Sequence, residues 1–379
     1  MFRLSTSDHL GIPEKLRLLN WGMIALIVAI GLIGVTLLYS AGGKHWQPWA
    51  APQLIRFAAG LCLMIAIALT DIRWWMHYAY VLYGIMLFLL VVVEVMGHVG
   101  MGAQRWISLG FFVIQPSELM KITLVLALAK YFHSLSTEEV SNPVKLLAPT
   151  AMIAAPVGLV LLQPNLGTAT LLTLASGAIF FAGGVRWWKF VIVIALVALM
   201  LPVAWHHLHD YQKARLMTFL HPGADPLGRG YNILQSKIAL GSGGLFGRGF
   251  GHGTQSQLHF LPEKQTDFIF VVLAEEFGMI GALFLLTLYF LLLAYGFMIA
   301  LTCRNQFGRL AAFGLTTTFF LYVFVNVAMV TGTIPVVGIP LPLVSYGGTA
   351  MMTLLIGCGL LLSISVHRDL RISRTGSSE

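Results

Sequence analysis

The chain has 379 residues, of which 58% are hydrophobic and only 10% are charged. About a quarter of the residues of an average soluble domain are charged, so this composition excludes an ordinary soluble globular protein. Nearly uncharged runs of about 20 residues recur along the chain, which is the length that a hydrocarbon layer of about 30 Å requires. We therefore expect a polytopic integral membrane protein.

The formal net charge of +8 comes from 23 lysines and arginines that are scattered in short segments between the apolar runs. Because these residues form no continuous stripe, the charge indicates membrane topology and not nucleic-acid binding. The polar stretch up to Asn20 is too long for a cleaved signal peptide, and we expect it to be retained. Cys62, Cys303 and Cys358 lie in or beside apolar runs, which argues against a disulfide framework or a CxxC zinc site.

Clusters of charged residues, proline and glycine divide the apolar sequence into ten predicted spans. If the N-terminus is cytoplasmic, most basic residues fall in inside segments, and the short outside segments hold only Lys44, Arg56, Arg105 and Lys121. We therefore predict an all-α fold, a polytopic membrane helix bundle that forms a single domain over residues 1–379 with both termini cytoplasmic. The predicted spans are approximately 20–40, 50–70, 76–96, 116–132, 146–162, 167–184, 188–206, 267–300, 310–331 and 344–366.

One connection is much longer than the others, because residues 207–266 form a 60-residue outer loop between the seventh and eighth spans. It holds ten glycines and six basic residues, and a glycine-rich, cationic loop beside a membrane favours phosphate handling. The stretch 241–253 of this loop matches neither G-x-G-x-x-G nor G-x-x-x-x-G-K-[ST], the two glycine-rich patterns of nucleotide-binding loops. Its backbone amides are nevertheless suited to form an anion nest. His206, His207 and His209 lack the i, i+4 spacing of a helical metal pair, so we expect them to be solvated at the interface.

Asp267 ends the polar sequence 262–267, directly before an apolar span. A carboxylate at the edge of the hydrocarbon has a tunable pKa and is suited to act as a base or a metal ligand. The alternative is structural, since Thr266 and Asp267 are both favoured N-cap residues. Deeper in the same span, Glu275 and Glu276 fit either a polar contact inside the bundle or a proton path.

A second polar cluster opens the fourth span, where Glu118 and Lys121 are three residues apart and share one helix face. They either neutralise one another or present a cation to an anionic ligand. The structural alternative is a lysine that snorkels to the interface beside a stabilising partner. Shortly before this span lie Arg105 and Trp106, and Trp106 alone is also typical of an interfacial anchor.

Two further segments with proline lie at the predicted outer face. Gln163 begins the sequence QPNLGT between the fifth and sixth spans, where a tight turn is the simplest interpretation and a hydrogen bond to a sugar or amide is the alternative. Residues 333–348 contain three prolines and cannot form a continuous helix. Irregular backbone at this depth is tolerated where it lines a cavity, so we expect this segment to form one wall of a cleft.

Six segments in the same order resemble the shape, elongation, division and sporulation (SEDS) family of membrane glycosyltransferases, which polymerise peptidoglycan. The resemblance covers nearly the whole chain, and the last segment is closer to the elongation-type (RodA) branch than to the division-type (FtsW) branch. The segments are GAQRWISLG (102–110), QPSELMK (115–121), QPNLGTA (163–169), DPLGRGYNILQSKIALGSGGLFGRG (225–249), FLPEKQTDFIF (260–270) and IPLPLVSYGG (339–348).

The resemblance implies a ten-span fold with an outer-face cleft and a substrate, the undecaprenyl-pyrophosphate disaccharide-peptide lipid II. The essential aspartate of the family falls on Asp267, which we expect to be catalytic. A class B penicillin-binding transpeptidase and elongation-complex membrane proteins are the implied partners, in the bacterial inner membrane. The expected substrate-binding residues are Arg105, Trp106, Glu118, Lys121, Gln163, Arg229, Lys237, Glu263 and Lys264.

The implied reaction fits one carboxylate combined with several cations. A base must take the proton of the acceptor hydroxyl as it attacks the donor's anomeric carbon, and the pyrophosphate leaving group needs positive charge instead of a proton. No organic cofactor is expected. Mg²⁺ or Mn²⁺ would also supply positive charge, but its ligands are unassigned, because His259 replaces the acidic residue expected at that position.

Two other classes of function stay open at this point. A carrier, such as a flippase for lipid-linked precursors or a secondary transporter, would spread polar groups through the depth of the bundle. A non-enzymatic scaffold would keep its function when Asp267 is replaced by alanine. The concentration of polar groups at the outer boundary favours chemistry there.

Overall fold

The computed structural model describes residues 11–96, 98–100, 103–108, 113–136, 138–207, 213, 217–219, 231–258, 260–261, 263–370 and 372. This described part is almost entirely helical. In chain order the helices are α1 (Ile12–Leu18), α2 (Trp21–Ala41), α3 (Ala50–Ala68), α4 (Ile72–Met96), α5 (Pro116–Ser134), α6 (Pro143–Leu162), α7 (Leu166–Gly183), α8 (Trp187–His207), α9 (Tyr231–Ser242), α10 (Thr254–Gln257), α11 (Ile269–Thr302), α12 (Gln306–Val330) and α13 (Gly348–Val366), with a 3₁₀ turn at Glu139–Ser141.

Ten of these helices coincide with the ten predicted spans to within a few residues. Eight of the helices in the described ranges are long and apolar enough to cross a membrane. The other two are α8, whose apolar part covers Trp187–Met200, and α5, which contains Glu118, Lys121 and Lys130. The prediction of a multi-pass helical membrane protein is confirmed.

Helices α5 and α12 lie in the middle of the bundle. Fifteen of the 19 residues of α5 are buried, although its first two turns carry an acidic and a basic side chain. Close packing needs small residues at the contacts between helices. At Gly314 of α12, a Cβ atom would lie only 2.8 Å from side-chain carbons of Val125 on α5 and Ile179 on α7. Glu118 and Lys121 therefore lie inside protein and not in lipid.

The two terminal segments meet at one end of the bundle. The Lys15 amino group in α1 donates a hydrogen bond to the carbonyl of Leu69, which follows α3 (2.9 Å). Beyond α13, the carbonyl of Arg368 accepts a hydrogen bond from the amide of Arg304, which follows α11 (2.9 Å). The described residues before α2 and those after α13 therefore lie at the same end of the bundle, as the distribution of basic residues predicts.

A small antiparallel sheet, which has no clear signal in the sequence, lies at the opposite end. It consists of β1 (His98–Gly100), β2 (Ala103–Ser108) and β3 (Val113–Ile114), in the order β1-β2-β3. The strands are too short to give a clear alternation of apolar and polar residues, which is the pattern that identifies a strand. The all-α prediction describes the bundle correctly and misses this sheet, whose strand β2 carries two of the predicted site residues.

Helix α11 is interrupted at Gly278, whose φ of 68° lies in the left-handed region. The glycine-rich stretch 241–253 replaces the helical hydrogen bonds that this break removes. The amides of Arg248 and Gly249 donate to the carbonyls of Glu275 and Glu276, both at 3.0 Å. Since α11 uses these two amides, they are not available for the anion nest that the sequence suggested.

We expect Gly278→Ala to destabilise the protein by more than about 1 kcal/mol, because a side chain is strained at this φ. A Cβ atom at Gly278 would also lie 2.4 Å from the amide nitrogen of Gly247. The measurement is thermal unfolding of the purified protein in detergent. The control is Gly177→Ala in α7, where a Cβ meets no atom within 4 Å. Equal unfolding temperatures for the two variants would contradict the prediction.

Candidate functional site

The segment 331–347 joins α12 to α13 and contains neither helix nor strand, which confirms the prediction of irregular backbone. We call it the proline loop. Helices α3, α11 and α12 donate side-chain hydrogen bonds to its carbonyl groups. The Tyr289 hydroxyl of α11 donates to Pro342 O (2.6 Å), and the Gln53 amide of α3 donates to Ser345 O (3.0 Å). These bonds satisfy backbone groups that would otherwise be unpaired inside a membrane protein.

Two glycines let other helices approach the backbone of the proline loop. A Cβ at Gly34 of α2 would lie 2.6 Å from the Cα of Val344. A Cβ at Gly167 of α7 would lie 2.9 Å from the carbonyl oxygen of Val337. Gly167 belongs to the QPNLGTA segment, and a Cβ there would also lie 3.3 Å from the side chain of Ile339, the first residue of the IPLPLVSYGG segment, so two of the sequence segments that resemble the SEDS family are in contact.

Asp267 lies against the proline loop. A Cβ atom at Gly338 would be 3.5 Å from the Oδ2 atom of Asp267, so the carboxylate faces a position without a side chain. The two preceding residues are bonded to the end of the loop: the Tyr346 amide donates to Gln265 O (2.8 Å), and the Ser345 hydroxyl donates to Thr266 O (2.5 Å). The loop therefore fixes the backbone that carries the predicted base.

The N-cap interpretation of Asp267 is wrong. Helix α11 begins at Ile269, its N-cap is Phe268, and no side chain caps it. Asp267 precedes the cap, and its side chain is partly exposed at the end of the helix. A carboxylate in this position is not needed to start α11, and its predicted role as a base remains a prediction.

Three basic side chains among the described residues lie around the proline loop. Lys237 of α9 is exposed and crosses the start of the loop, where a Cβ at Gly332 would be 2.4 Å from its Cε atom. Arg56 of α3 lies over the ring of Tyr346 near the end of the loop, 5.1 Å from the ring centroid. The third, Lys264, precedes Asp267 by three residues. Arg56 was not among the predicted binding residues, since nothing in its local sequence distinguishes it.

Lys264 is almost completely buried, with its amino group 5.9 Å from the centroid of the Trp49 ring. Burial lowers the pKa of Lys264, and the carboxylate of Glu276 partly offsets this effect. A cation that is held away from water interacts more strongly with an anion than a solvated one does. The predicted role of Lys264 in substrate binding stays a prediction.

Arg105 on β2 holds the turn between α6 and α7. Its Nε donates to Gln163 O (3.0 Å) and its Nη2 donates to Pro164 O (2.6 Å). The buried amide of Gln163 donates to Leu90 O (3.2 Å), and Asn165 caps α7. The turn interpretation of this segment is confirmed, and substrate binding by Arg105 and Gln163 stays a prediction.

Glu118 and Lys121 form a buried ion pair, as their spacing predicts, with Nζ and Oε1 2.6 Å apart. Tyr322 of α12 completes the group, which we call the buried triad. Its hydroxyl donates to the Oε2 atom of Glu118 (2.5 Å) and accepts a hydrogen bond from Lys121. A cavity of about 20 Å³ borders Lys121 and Tyr322, which is enough for one water molecule.

Glu275 and Glu276 make polar contacts inside the protein. Glu275 accepts a hydrogen bond from the Gln255 amide (2.7 Å), and Glu276 accepts one from the Ser40 hydroxyl. These bonds support the structural interpretation of both residues. No group of three or more potential metal ligands of the His, Cys, Asp and Glu types occurs within the described ranges.

The remaining predicted residues are less informative. Trp106 is partly buried on β2, and Glu263 is exposed, with a carboxylate that accepts a hydrogen bond from the Thr266 hydroxyl (3.1 Å). His206 is exposed at the end of α8. The predictions for Arg229, His209 and His259, and for the side chain of His207, lie outside the described residues.

Sequence reasoning missed the residues that hold the site together. Asn326 of α12 donates a hydrogen bond to the carbonyl of Asp267. One turn earlier on the same helix, Tyr322 donates a hydrogen bond to Glu118 of the ion pair. Asn326 had a usable signal, since a polar residue inside an apolar span is functional by default. The contact between Gln53 and Ser345 could not be predicted from sequence, because the two residues lie about 290 positions apart.

The sequence model of the FtsW/RodA/SpoVE family, described as cell cycle protein, matches residues 16–370. The chain is 44% identical to the peptidoglycan glycosyltransferase MrdB of Escherichia coli K12 over 355 residues, which cover 92% of this chain and 94% of that one. It is 35% identical to the stage V sporulation protein E of Bacillus subtilis, over 90% of this chain and 96% of that one.

Solved structures are similar over the same range. The crystal structure of the rod shape determining protein RodA of Thermus thermophilus has a TM-score of 0.70 and 31% identity, covering 93% of this chain and 98% of that one. A chain from a study of polymerization and crosslinking by a peptidoglycan synthase complex has a TM-score of 0.80 and 35% identity, with the same coverage. The chain therefore belongs to the FtsW/RodA/SpoVE family of cell cycle proteins, the SEDS family that its motifs resemble.

Proposed function

We propose that this protein is a peptidoglycan glycosyltransferase that polymerises lipid II into β-1,4 glycan strands for cell-wall elongation, with Asp267 as the general base. The reaction class follows from its family, since the curated relative at 44% identity is named a peptidoglycan glycosyltransferase. The observation that supports the assignment of the base is the position of the Asp267 carboxylate, at the end of α11 and against Gly338 of the proline loop.

A base is required because a sugar hydroxyl is a weak acid and must lose its proton as it attacks. A carboxylate in hydrogen-bond reach takes that proton in the transition state. Asp267 suits this task because it is partly exposed, while its main chain is fixed by the proline loop and α12. In this scheme the acceptor oxygen displaces undecaprenyl pyrophosphate in a single step, which inverts the configuration of the donor sugar.

The leaving pyrophosphate carries its own negative charge and needs cations near it, not an acid. Lys237, Arg56 and Lys264 supply positive charge around the proline loop. Arg105 stands on the adjacent turn, although two of its guanidinium hydrogen bonds go to carbonyl groups. We place the pyrophosphate groups between these side chains and the N-terminal end of α11.

The described residues do not form a divalent-cation site by themselves. Mg²⁺ and Mn²⁺ prefer carboxylate and other oxygen ligands. Within the described ranges, Asp267 has no cluster of further acidic or histidine ligands around it. The described residues therefore supply no complete ligand set for such an ion, and the scheme assigns charge neutralisation to lysine and arginine.

The proposed location is the bacterial inner membrane, with both termini cytoplasmic and the proline loop at the outer face. The basic residues of the short segments support this orientation. One similar solved structure comes from a study of polymerization and crosslinking by a peptidoglycan synthase complex. We propose that this protein works beside a class B penicillin-binding transpeptidase, and that other elongation-complex membrane proteins join them.

A flippase or other carrier is the second candidate, because the buried triad places charges inside the bundle. In the triad, however, the lysine, the carboxylate and the phenol bond to one another. A path through the membrane needs polar groups at successive depths. The partly exposed carboxylate and the basic side chains instead lie around one loop, which favours chemistry at that surface.

The test is polymerisation of labelled lipid II by the purified protein, with and without its transpeptidase partner. Glycan strands are the expected product. A parallel assay in vesicles follows movement of the same lipid between leaflets. Movement without strands, with partner and Mg²⁺ or Mn²⁺ present, would replace the proposed function by the carrier. Neither movement nor strands would favour the scaffold.

A further inference from the structure

We infer that Asn326 is a positioning residue for the proposed reaction: it locks the backbone of Asp267 to the proline loop and thereby sets the place of the base. This inference rests on the proposed function. Asn326 lies on α12, one turn below the end of the helix, and none of its surface is exposed. Its side chain bonds to the carbonyl of Asp267, so its effect on the carboxylate passes through the backbone.

One amide nitrogen makes two bonds. The Nδ2 atom of Asn326 donates to the carbonyl of Asp267 at 2.9 Å and to the carbonyl of Ile339 at 2.7 Å. Both partners are carbonyl oxygens, which only accept, so the atom between them has to be the nitrogen of the amide. The chemistry of the partners therefore determines the orientation of the side chain.

The two carbonyls belong to the two halves of the site. Asp267 carries the proposed base, and Ile339 directly follows Gly338, the residue against which the carboxylate lies. The two bonds from Asn326 therefore hold Asp267 and the part of the proline loop beside its carboxylate in a fixed relative position. The Ser345 bond to Thr266 O and the Tyr346 bond to Gln265 O hold the same two segments farther from the carboxylate.

The oxygen of the Asn326 side-chain amide argues against a role in stability alone. Its Oδ1 atom is buried and has no hydrogen-bond partner among the described residues. A buried acceptor without a partner costs free energy, so a residue selected for stability would not leave one there. A donor placed between two carbonyls explains why an amide stands in an otherwise apolar stretch of α12.

The position of a base matters because proton transfer needs a heavy-atom distance of about 3 Å. A displacement of about 1 Å in a reacting group lowers the rate by about 100-fold. Loss of the Asn326 bonds allows such a shift of Asp267. Binding of lipid II is spread over a large surface with many contacts, so it is less sensitive to this shift.

The experiment compares the steady-state polymerisation of lipid II by wild type and Asn326→Leu, each purified with the transpeptidase partner. Leucine keeps the volume and removes the donor. We expect kcat to fall by about 10- to 100-fold, with KM for lipid II changed less than about twofold. The unchanged KM separates a loss of chemistry from a loss of substrate binding, and kcat is expressed per folded molecule, with the folded fraction taken from thermal unfolding.

Asn305→Ala is the matched control. Asn305 is also a buried asparagine of α12, but it caps the opposite end of the helix by accepting the Gly308 amide (2.6 Å). Thermal unfolding of both variants is measured in the same detergent. The control is expected to unfold at a lower temperature and to keep the kcat of wild type when it is folded.

The outcomes separate this inference from the proposed function. The positioning role is overturned if the kcat of Asn326→Leu stays within threefold of wild type. It is also overturned if Asn305→Ala, at equal stability, loses kcat by the same factor. Neither result affects the proposed function. A wild type that makes no strands overturns the function itself. If Asn326→Leu does not fold, Asn326→Ser is measured by the same criteria: a reduced kcat at unchanged KM supports the inference, and a wild-type kcat overturns it.

Discussion

Replacement of Asp267 by asparagine is expected to lower the rate of lipid II polymerisation by about 100- to 10,000-fold, which is the usual contribution of a general base. The change is nearly isosteric and replaces a negatively charged carboxylate with a neutral amide that cannot take the proton. The backbone at this position is bonded through its carbonyl to Asn326, and that bond does not depend on the side chain. The variant should therefore fold as wild type does and should still bind lipid II.

The measurement is single-turnover and steady-state polymerisation, with thermal unfolding as the check on folding. Asp71→Asn is the matched control, because Asp71 lies at the opposite end of the bundle and accepts the Arg73 amide (2.8 Å), which asparagine can also do. The control is expected to retain full activity. An Asp267→Asn variant that keeps more than a tenth of the wild-type rate would remove Asp267 from the role of base.

The helices of this protein could be predicted from sequence because each has its own local signal. Ten apolar runs of sufficient length gave ten spans, and proline in the segment after α12 excluded a helix there. The small sheet had no such signal. Its three strands are short, and glycines and aromatic residues interrupt any alternation.

The site was only partly predictable, because its geometry depends on contacts between distant residues. Asp267 and Lys264 could be chosen from local sequence and from resemblance, but the proline loop that supports Asp267 follows about 70 residues later. The spacing of Glu118 and Lys121 correctly predicted an ion pair. It could not show that Tyr322 joins them, since this tyrosine lies on another helix.

The proline loop connects these observations. Its first half faces Asp267 at Gly338, and its second half binds the backbone of residues 265 and 266. Helices α2, α3, α7, α11 and α12 all contact the loop. The surrounding helices thus fix its irregular backbone, which in turn supports the proposed base.

Lys121→Met is expected to produce the largest loss of stability, about 3–5 kcal/mol, because it leaves the buried carboxylate of Glu118 without its cation. The Tyr322 hydroxyl alone cannot compensate for a full charge in this environment. Thermal unfolding in detergent measures the loss. Lys130→Met on the same helix is the control, since Lys130 donates to the carbonyl of His77 and not to a buried acid.

The double variant Glu118→Leu with Lys121→Met separates stability from function. Removal of both charges together is expected to restore most of the stability, because two apolar side chains of similar volume often replace a buried ion pair at little cost. If the pair also serves the reaction, as the proposed binding roles require, the double variant folds and makes no glycan strands. If it folds and polymerises lipid II at the wild-type rate, the pair is only structural. Single and double variants of equal stability would contradict the charge argument, because the penalty arises from leaving one charge without the other.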